Sequence, residues 1–403
     1  MACFICGKRE LFKFLDFGAQ PPSDAFLCAE DLNKPEAKYP LALYFCEACG
    51  LVQLQDIVDP EVLFRSYVYT TGMNNSLRAS FKALIGTLVS QYALTKDDFV
   101  IDIGSNDGTL LGFYAPFGVR MLGIDPSSAS SLAIAKGIPT LVDFFNDTTA
   151  STVALRYGKA KVITATNVFA HVGDLDAFMK GLVAVLRKDG IFVSESGYLL
   201  DMIEHLGYDA IYHEHLRYYS LRPLAVLFER FGMEMIHVER IPSHSGSIRV
   251  YAAFNGAHFI ASSVKELLAL EESKALHTKE TLIHFAERVY EHRNALLHLL
   301  ADIRKSGKRI VGIGAPAKGN TLLNFCRITS EIVDCLFEKS DLKIGLYAPG
   351  THIPVLSETL LYAEPSDFAL LLSWNLADEI ISKLRNNGYH GRFIIPFPQI
   401  TIV

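Results

Sequence analysis

Short apolar runs bounded by turn residues recur between stretches of helical spacing through the middle of the chain. The runs at 99–104, 120–124, 140–145, 162–165 and 190–195 read as buried strands. Strands alternating with helices predict a parallel sheet covered on both faces. Two further runs, 234–241 and 247–254, are joined by a polar turn and read as an antiparallel hairpin closing that sheet. Before them, residues 61–90 look helical and contain an aromatic, hydroxyl-rich turn at 67–72. After them, Leu282, Phe285, Val289, Leu296 and Leu300 fall at helical spacing, so 263–306 reads as one or two linker helices. A second alternating unit starts near 308, with strands expected at 309–314, 332–337, 368–373 and 392–395. The expected organisation is therefore a module at 1–60, an α/β unit at 61–262, linker helices at 263–306 and a smaller α/β unit at 307–403.

The 403 residues are half hydrophobic and one fifth charged, an ordinary globular composition with room for more than one core. The formal net charge of −6 gives no basic field to attract nucleic acid. No apolar stretch is long enough to span a bilayer, and the first residues lack a basic and apolar leader. A soluble cytoplasmic protein, a monomer or small homo-oligomer, is the expectation, with its seven cysteines outside disulfides.

Four of those cysteines form two C-x-x-C pairs, Cys3/Cys6 and Cys46/Cys49, each followed by glycine. Two such knuckles supply the four thiolates of a tetrahedral structural Zn²⁺. A redox C-x-x-C would need a βαβ setting, and the pattern predicts none there. With four protein ligands the metal has no open position, so it is expected to stabilise a module short of core. Cys28, Cys326 and Cys335 stand apart and read as core or incidental residues.

The strand ending at Asp102 and Ile103 breaks into Gly104-Ser105-Asn106-Asp107-Gly108, and a helical stretch follows. A strand, a glycine turn and a helix start make a nucleotide site in a doubly wound sheet. The spacing is not that of the dinucleotide fingerprint. Asp125, 21 positions after Gly104, is placed to accept ribose hydroxyls at the end of the second strand. Together they look like the S-adenosylmethionine (SAM) site of a class I methyltransferase, although any buried strand can precede a glycine turn. Asp102, Gly104, Ser105, Asn106, Gly108 and Asp125 are the expected cofactor residues. Asp143 and Phe144 toward the end of the third strand, and Asn167 after the fourth, join them.

Tyr212-His213-Glu214-His215 lies between the fifth strand and the last helix before the hairpin. A histidine can act as a base near neutral pH, a carboxylate can orient it, and a tyrosine can donate to a developing enolate oxygen. A metal site or a solvated loop are the other readings. His171, after the fourth strand, reads as a site residue or a structural histidine. In the hairpin turn His244, Ser247 and Arg249, and in the second α/β unit Lys318, are candidate substrate contacts. Arg249 reads equally as a surface or strand-face charge, and Lys318 as a charge that solvates its turn.

Taken in order, these motifs resemble the zinc-containing, SAM-dependent C-methyltransferases of nucleotide-linked 4-keto-deoxysugars. Gly312-Ile313-Gly314-Ala315-Pro316-Ala317-Lys318-Gly319-Asn320, Pro349-Gly350-Thr351-His352-Ile353-Pro354-Val355 and Ser373-Trp374-Asn375 look like that family's C-terminal signatures. The resemblance implies a class I methyltransferase core between a zinc-binding module and a Rossmann-like C-terminal domain. It implies a base that removes the proton beside the ketone, and an enolate that takes the methyl group of SAM. His215 would be that base, Tyr212 and Glu214 would position it or polarise the ketone, and His171 and Tyr69 would support the site. A methyltransferase acting on oxygen or nitrogen of another small molecule, and a non-enzymatic binding module, are the competing readings.

Overall fold

A computed structural model describes residues 2–64, 71–73, 75–363 and 366–403. The central sheet has seven strands, in the order Met233–Ile241, Ser247–Phe254, Leu186–Gly197, Ala160–Thr166, Phe99–Ile103, Arg120–Ile124 and Thr140–Leu141. All neighbours are parallel except at Ser247–Phe254, which runs antiparallel to both strands beside it. The middle strands are buried on both faces, which is why they read as unbroken apolar runs. The expected strand at 140–145 stops at Leu141. The polar residues after it make a turn instead, and Asn146 caps the helix Asp147–Tyr157 by accepting from the Thr149 N–H at 2.9 Å.

The N-terminal module is a small antiparallel sheet of Phe12–Gln20, Tyr39–Phe45 and Val52–Gln53. Its fourth strand comes from far along the chain. Arg217–Tyr218 pairs with Val52–Gln53, so the segment just after His215 belongs to the zinc module's sheet. The linker forms two helices, Ser262–Ser273 and Lys279–Lys305, and the longer one buries Leu282, Phe285, Val289, Leu296 and Leu300. The C-terminal sheet runs Val355–Ser357, Leu336–Glu338, Ile310–Ile313, Phe368–Leu371, Arg392–Ile395 and Thr401–Ile402. Its first five strands are parallel and the last is antiparallel. No helix among the described residues is long and apolar enough to cross a membrane.

The closing hairpin is held by a buried ion pair. Arg249 faces Glu195 on one neighbouring strand and Glu239 on the other. Its Nε and Nη2 donate to Glu195 at 3.1 and 2.8 Å, Nη1 donates to Glu239 at 3.1 Å, and Nη2 also reaches Ser80 Oγ at 3.2 Å. Glu195 is 0% and Arg249 5% exposed. The expectation that Arg249 contacts substrate is therefore corrected, because its donors are spent inside the sheet. Ser247 is corrected likewise: it is fully buried, and its hydroxyl donates to the Ser243 carbonyl at 2.9 Å. Arg249→Met leaves the buried Glu195 carboxyl without its cationic partner. It should cost about 3–5 kcal/mol in denaturant unfolding, and a loss below about 1 kcal/mol would contradict this account.

Candidate functional site

Each C-x-x-C knuckle closes in the same way. The Gly7 and Gly50 N–H groups donate to the Cys3 and Cys46 carbonyls at 3.0 and 2.8 Å, and both glycines have positive φ. The four sulfurs lie within 4.8 Å of one another, with Cys3–Cys49 and Cys6–Cys46 both at 3.5 Å. Zn–S bonds of about 2.3 Å put tetrahedral sulfurs about 3.8 Å apart, so the cluster fits zinc. It is the only such group among the described residues, and His213, Glu214 and His215 do not form one. His213 is instead buried, and its Nε2–H donates to the Tyr39 carbonyl at 3.1 Å.

At the carboxyl edge of the central strands, Gly104 and Gly108 take φ of 69° and 74°. A Cβ on Gly104 would lie 2.2 Å from Val168 Cγ2, so the turn packs directly on the loop after the fourth strand. Asp125 braces this turn. Its Oδ2 accepts from the Asn106 N–H at 2.7 Å, and its Oδ1 accepts from the Ser127 N–H at 2.8 Å and from the Ser127 hydroxyl. Oδ2 keeps a second lone pair for a ribose hydroxyl. Asn106 Oδ1 and Asp107 Oδ2 accept from the Thr71 and Gly72 N–H groups, which brings the preceding segment over the turn. The buried Ser105 hydroxyl has no hydrogen-bond partner. Asp143 is exposed, while Phe144 and Asn167 are half-buried along the same edge. An acid, a glycine turn and an orphaned hydroxyl at this edge fit SAM. Asp102 lies deeper. It takes the Thr164 hydroxyl at 2.6 Å inside the sheet, and burial pushes its carboxyl up to about 7.

The catalytic candidates converge as a stack of rings. The ring centroids of Phe64 and His171 are 5.8 Å apart, those of His171 and His215 5.0 Å, and those of His215 and Tyr212 3.9 Å. His215 Nδ1 lies 2.8 Å from the Ala210 carbonyl. A carbonyl only accepts, so Nδ1 carries the proton and Nε2 carries the basic lone pair. Burial lowers His171 to about 4, so it stays neutral beside His215. Glu214 is 3% exposed, and burial, helped by Asp24, pushes it up to about 8. It is thus a neutral carboxylic acid at pH 7, and its buried Oε2 has no hydrogen-bond partner. Tyr69 and the side chain of His244 lie outside the described residues.

Lys318 is half-buried at the start of the helix Ala317–Phe325, with Nζ 5.8 Å from the centre of the Trp374 ring. Burial lowers its amine while Asp209 opposes the shift. Asp209, itself 1% exposed, accepts from Trp374 Nε1–H at 2.6 Å. Nothing in the sequence marks Asp209, whereas Trp374, the single tryptophan, lies in the Ser373-Trp374-Asn375 signature. The glycine turn of this unit is closed from within. Glu338 Oε2 accepts from the Ala315 N–H at 2.7 Å, and its Oε1 accepts from the N–H groups of Lys339 and Ser340.

These features define a class I SAM-dependent methyltransferase with an N-terminal four-cysteine zinc-binding cluster. Residues 3–64 match a zinc binding domain family, 77–238 a methyltransferase domain and 242–398 the C-methyltransferase C-terminal domain. The C-methyltransferase NovU of Streptomyces niveus is 32% identical over 406 residues, spanning 100% of this chain and 96% of that protein. The chain belongs to this family of zinc-binding, SAM-dependent C-methyltransferases. Among solved structures, magnesium protoporphyrin IX methyltransferase of Synechocystis with bound SAM is 13% identical, covering 50% of this chain and 100% of its own, with a TM-score of 0.37. A SAM-dependent methyltransferase of Clostridium acetobutylicum is also 13% identical, covering 44% and 92%, with a TM-score of 0.36.

Cys46→Ser should lose bound zinc and thermal stability together, read by elemental analysis and thermal unfolding. A metal-free variant melting at the wild-type temperature would contradict the structural role. Glu214 gives a pH-dependent expectation. Its carboxyl ordinarily titrates at 4.5 and in the folded protein at about 8. Between those values the folded state holds a proton that the unfolded chain has released, so this group lowers stability as pH rises and levels off above 8. Glu214→Gln should therefore gain on wild type from pH 5 to pH 8 by more than about 1.4 kcal/mol, the equivalent of one pK unit. Parallel stability curves for the two proteins would refute the buried-acid assignment.

Proposed function

We propose that this C-methyltransferase acts on a nucleotide-linked 4-keto-deoxysugar, most simply a dTDP sugar, by way of an enolate. The observation that carries the reading is the fixed tautomer of His215. With Nδ1–H held by the Ala210 carbonyl, Nε2 is the atom that takes the proton from the carbon beside the ketone. The imidazolium then forms against the face of Tyr212 and beside a neutral His171, an arrangement that favours the cation. Glu214, kept protonated, and Tyr212 supply O–H donors suited to the enolate oxygen or to bracing the base. SAM bound at the Gly104–Gly108 turn supplies an electrophilic methyl group. A carbanion beside a carbonyl needs no further activation, so the residues' remaining task is to hold donor and acceptor in line. Lys318, with Asp209 and Trp374 beside it, is a cationic contact suited to the sugar nucleotide's phosphates.

The test is mass spectrometry of a dTDP-linked 4-keto-6-deoxyhexose incubated with the enzyme in D₂O. Methyl gain with SAM, or deuterium gain without it, is expected. Neither signal in a protein that binds SAM would point to a different methyl acceptor. His215→Ala should lower both signals by about 10²–10⁴-fold while SAM affinity holds. Undiminished exchange would remove His215 from the role of base.

A further inference from the structure

The zinc knuckle and the catalytic loop are joined by one buried cation. Arg217 is 2% exposed and stands two residues after His215. Its guanidinium carbon lies 4.6 Å from the ring centre of Phe4, the residue next to the zinc ligand Cys3 in the first knuckle. On its other side Nη1 donates to the Val172 carbonyl, and Nη2 donates to the Gly173 carbonyl at 3.2 Å. Those carbonyls follow His171 directly. Nε is buried without a hydrogen-bond partner, and the ring, the two carbonyls and the nearby Tyr219, Cys3 and Asp174 hold this charge in the interior.

The surrounding backbone follows the same path. Gln53, the strand partner of Arg217, accepts the Phe4 N–H at 3.0 Å through its side chain. The Leu54 N–H donates to the Leu216 carbonyl at 2.9 Å, and the Leu216 N–H donates to the Ala170 carbonyl at 3.1 Å. The two histidines of the ring stack are therefore each one or two residues from a group fixed to the zinc module. A stack with centroids 5.0 Å apart cannot tolerate independent movement of its two loops.

We infer that Arg217 is a positioning residue: through Phe4 it sets the His171 loop by the zinc knuckle, and so aligns His215 for proton removal. The zinc cluster acts on the reaction through this contact without touching substrate.

The experiment uses the full-length zinc-loaded enzyme and the variants Arg217→Met, Arg217→Lys, Phe4→Leu and Arg217→Met/Phe4→Leu. None of these removes a zinc ligand. For Arg217→Met, kcat and solvent deuterium exchange into the dTDP-ketosugar should both fall by about 30-fold or more, with KM, SAM affinity and zinc content within about threefold of wild type. Arg217→Lys should recover part of the loss. Phe4→Leu should show a smaller defect of the same kind, and the double variant should be no worse than Arg217→Met alone, because both act on one contact. Amide exchange in peptides covering 169–173 and 214–218 should quicken in Arg217→Met and Phe4→Leu. Unchanged kcat and amide exchange, or single-variant losses that simply multiply, would overturn the inference. If Arg217→Met fails to fold, Arg217→Lys and Phe4→Leu decide by the same readouts.

The exchange into sugar rests on the enolate reading above, whereas the amide exchange does not. A wild-type enzyme inert toward the ketosugar would reject that reading, and the peptides would still judge the role of Arg217.

Discussion

The pairing of Arg217–Tyr218 with Val52–Gln53 is the constraint on which the site depends. It makes a stretch of the methyltransferase unit the edge of the zinc module's sheet. The two residues before that stretch include His215, so the module fixes one end of the loop that carries it. The other end is fixed by the hydrogen bond between His215 Nδ1 and Ala210, which leaves the ring's lone pair on Nε2, the atom proposed above as the base. A metal with four protein ligands has no open position, and these four cysteines close the module whose edge strand follows His215.

Burial without solvation tunes the ionisable groups around that frame. Glu214 and Asp102 are pushed toward the neutral acid, and His171 toward the neutral imidazole. Arg249 and Glu195 are also buried, but each has the other, so charge is kept as an ion pair across adjacent strands. Of the first group, His171 stacks on His215, and Glu214 precedes it in the chain. The second fastens the hairpin at its edge. A partner within reach decides which outcome a buried group takes.

The sequence pattern reports period and local chemistry well. The central strands, the hairpin, the linker helices and both cysteine knuckles follow from apolar runs and spacing. The expected zinc and SAM sites and the ring stack of His171, His215 and Tyr212 also trace to local motifs. Legibility fails where the cause is distant in the chain. Nothing local marks Arg217–Tyr218 as a strand of the N-terminal sheet, because its partner is more than 160 residues away. Arg249 and Ser247 read as substrate contacts because they lie in a polar turn, and only the register of three strands turns them inward. The strand expected through 145 stops at Leu141 because Asn146 serves as a helix cap.

The most direct measurement of the central claim is a crystal structure of the enzyme with S-adenosylhomocysteine and the dTDP-linked ketosugar. The account predicts His215 Nε2 within about 3.5 Å of the carbon beside the ketone, a near-attack separation, with Nδ1 still on the Ala210 carbonyl. A sugar bound with that carbon out of reach of His215, or with the ring turned off Ala210, would contradict it.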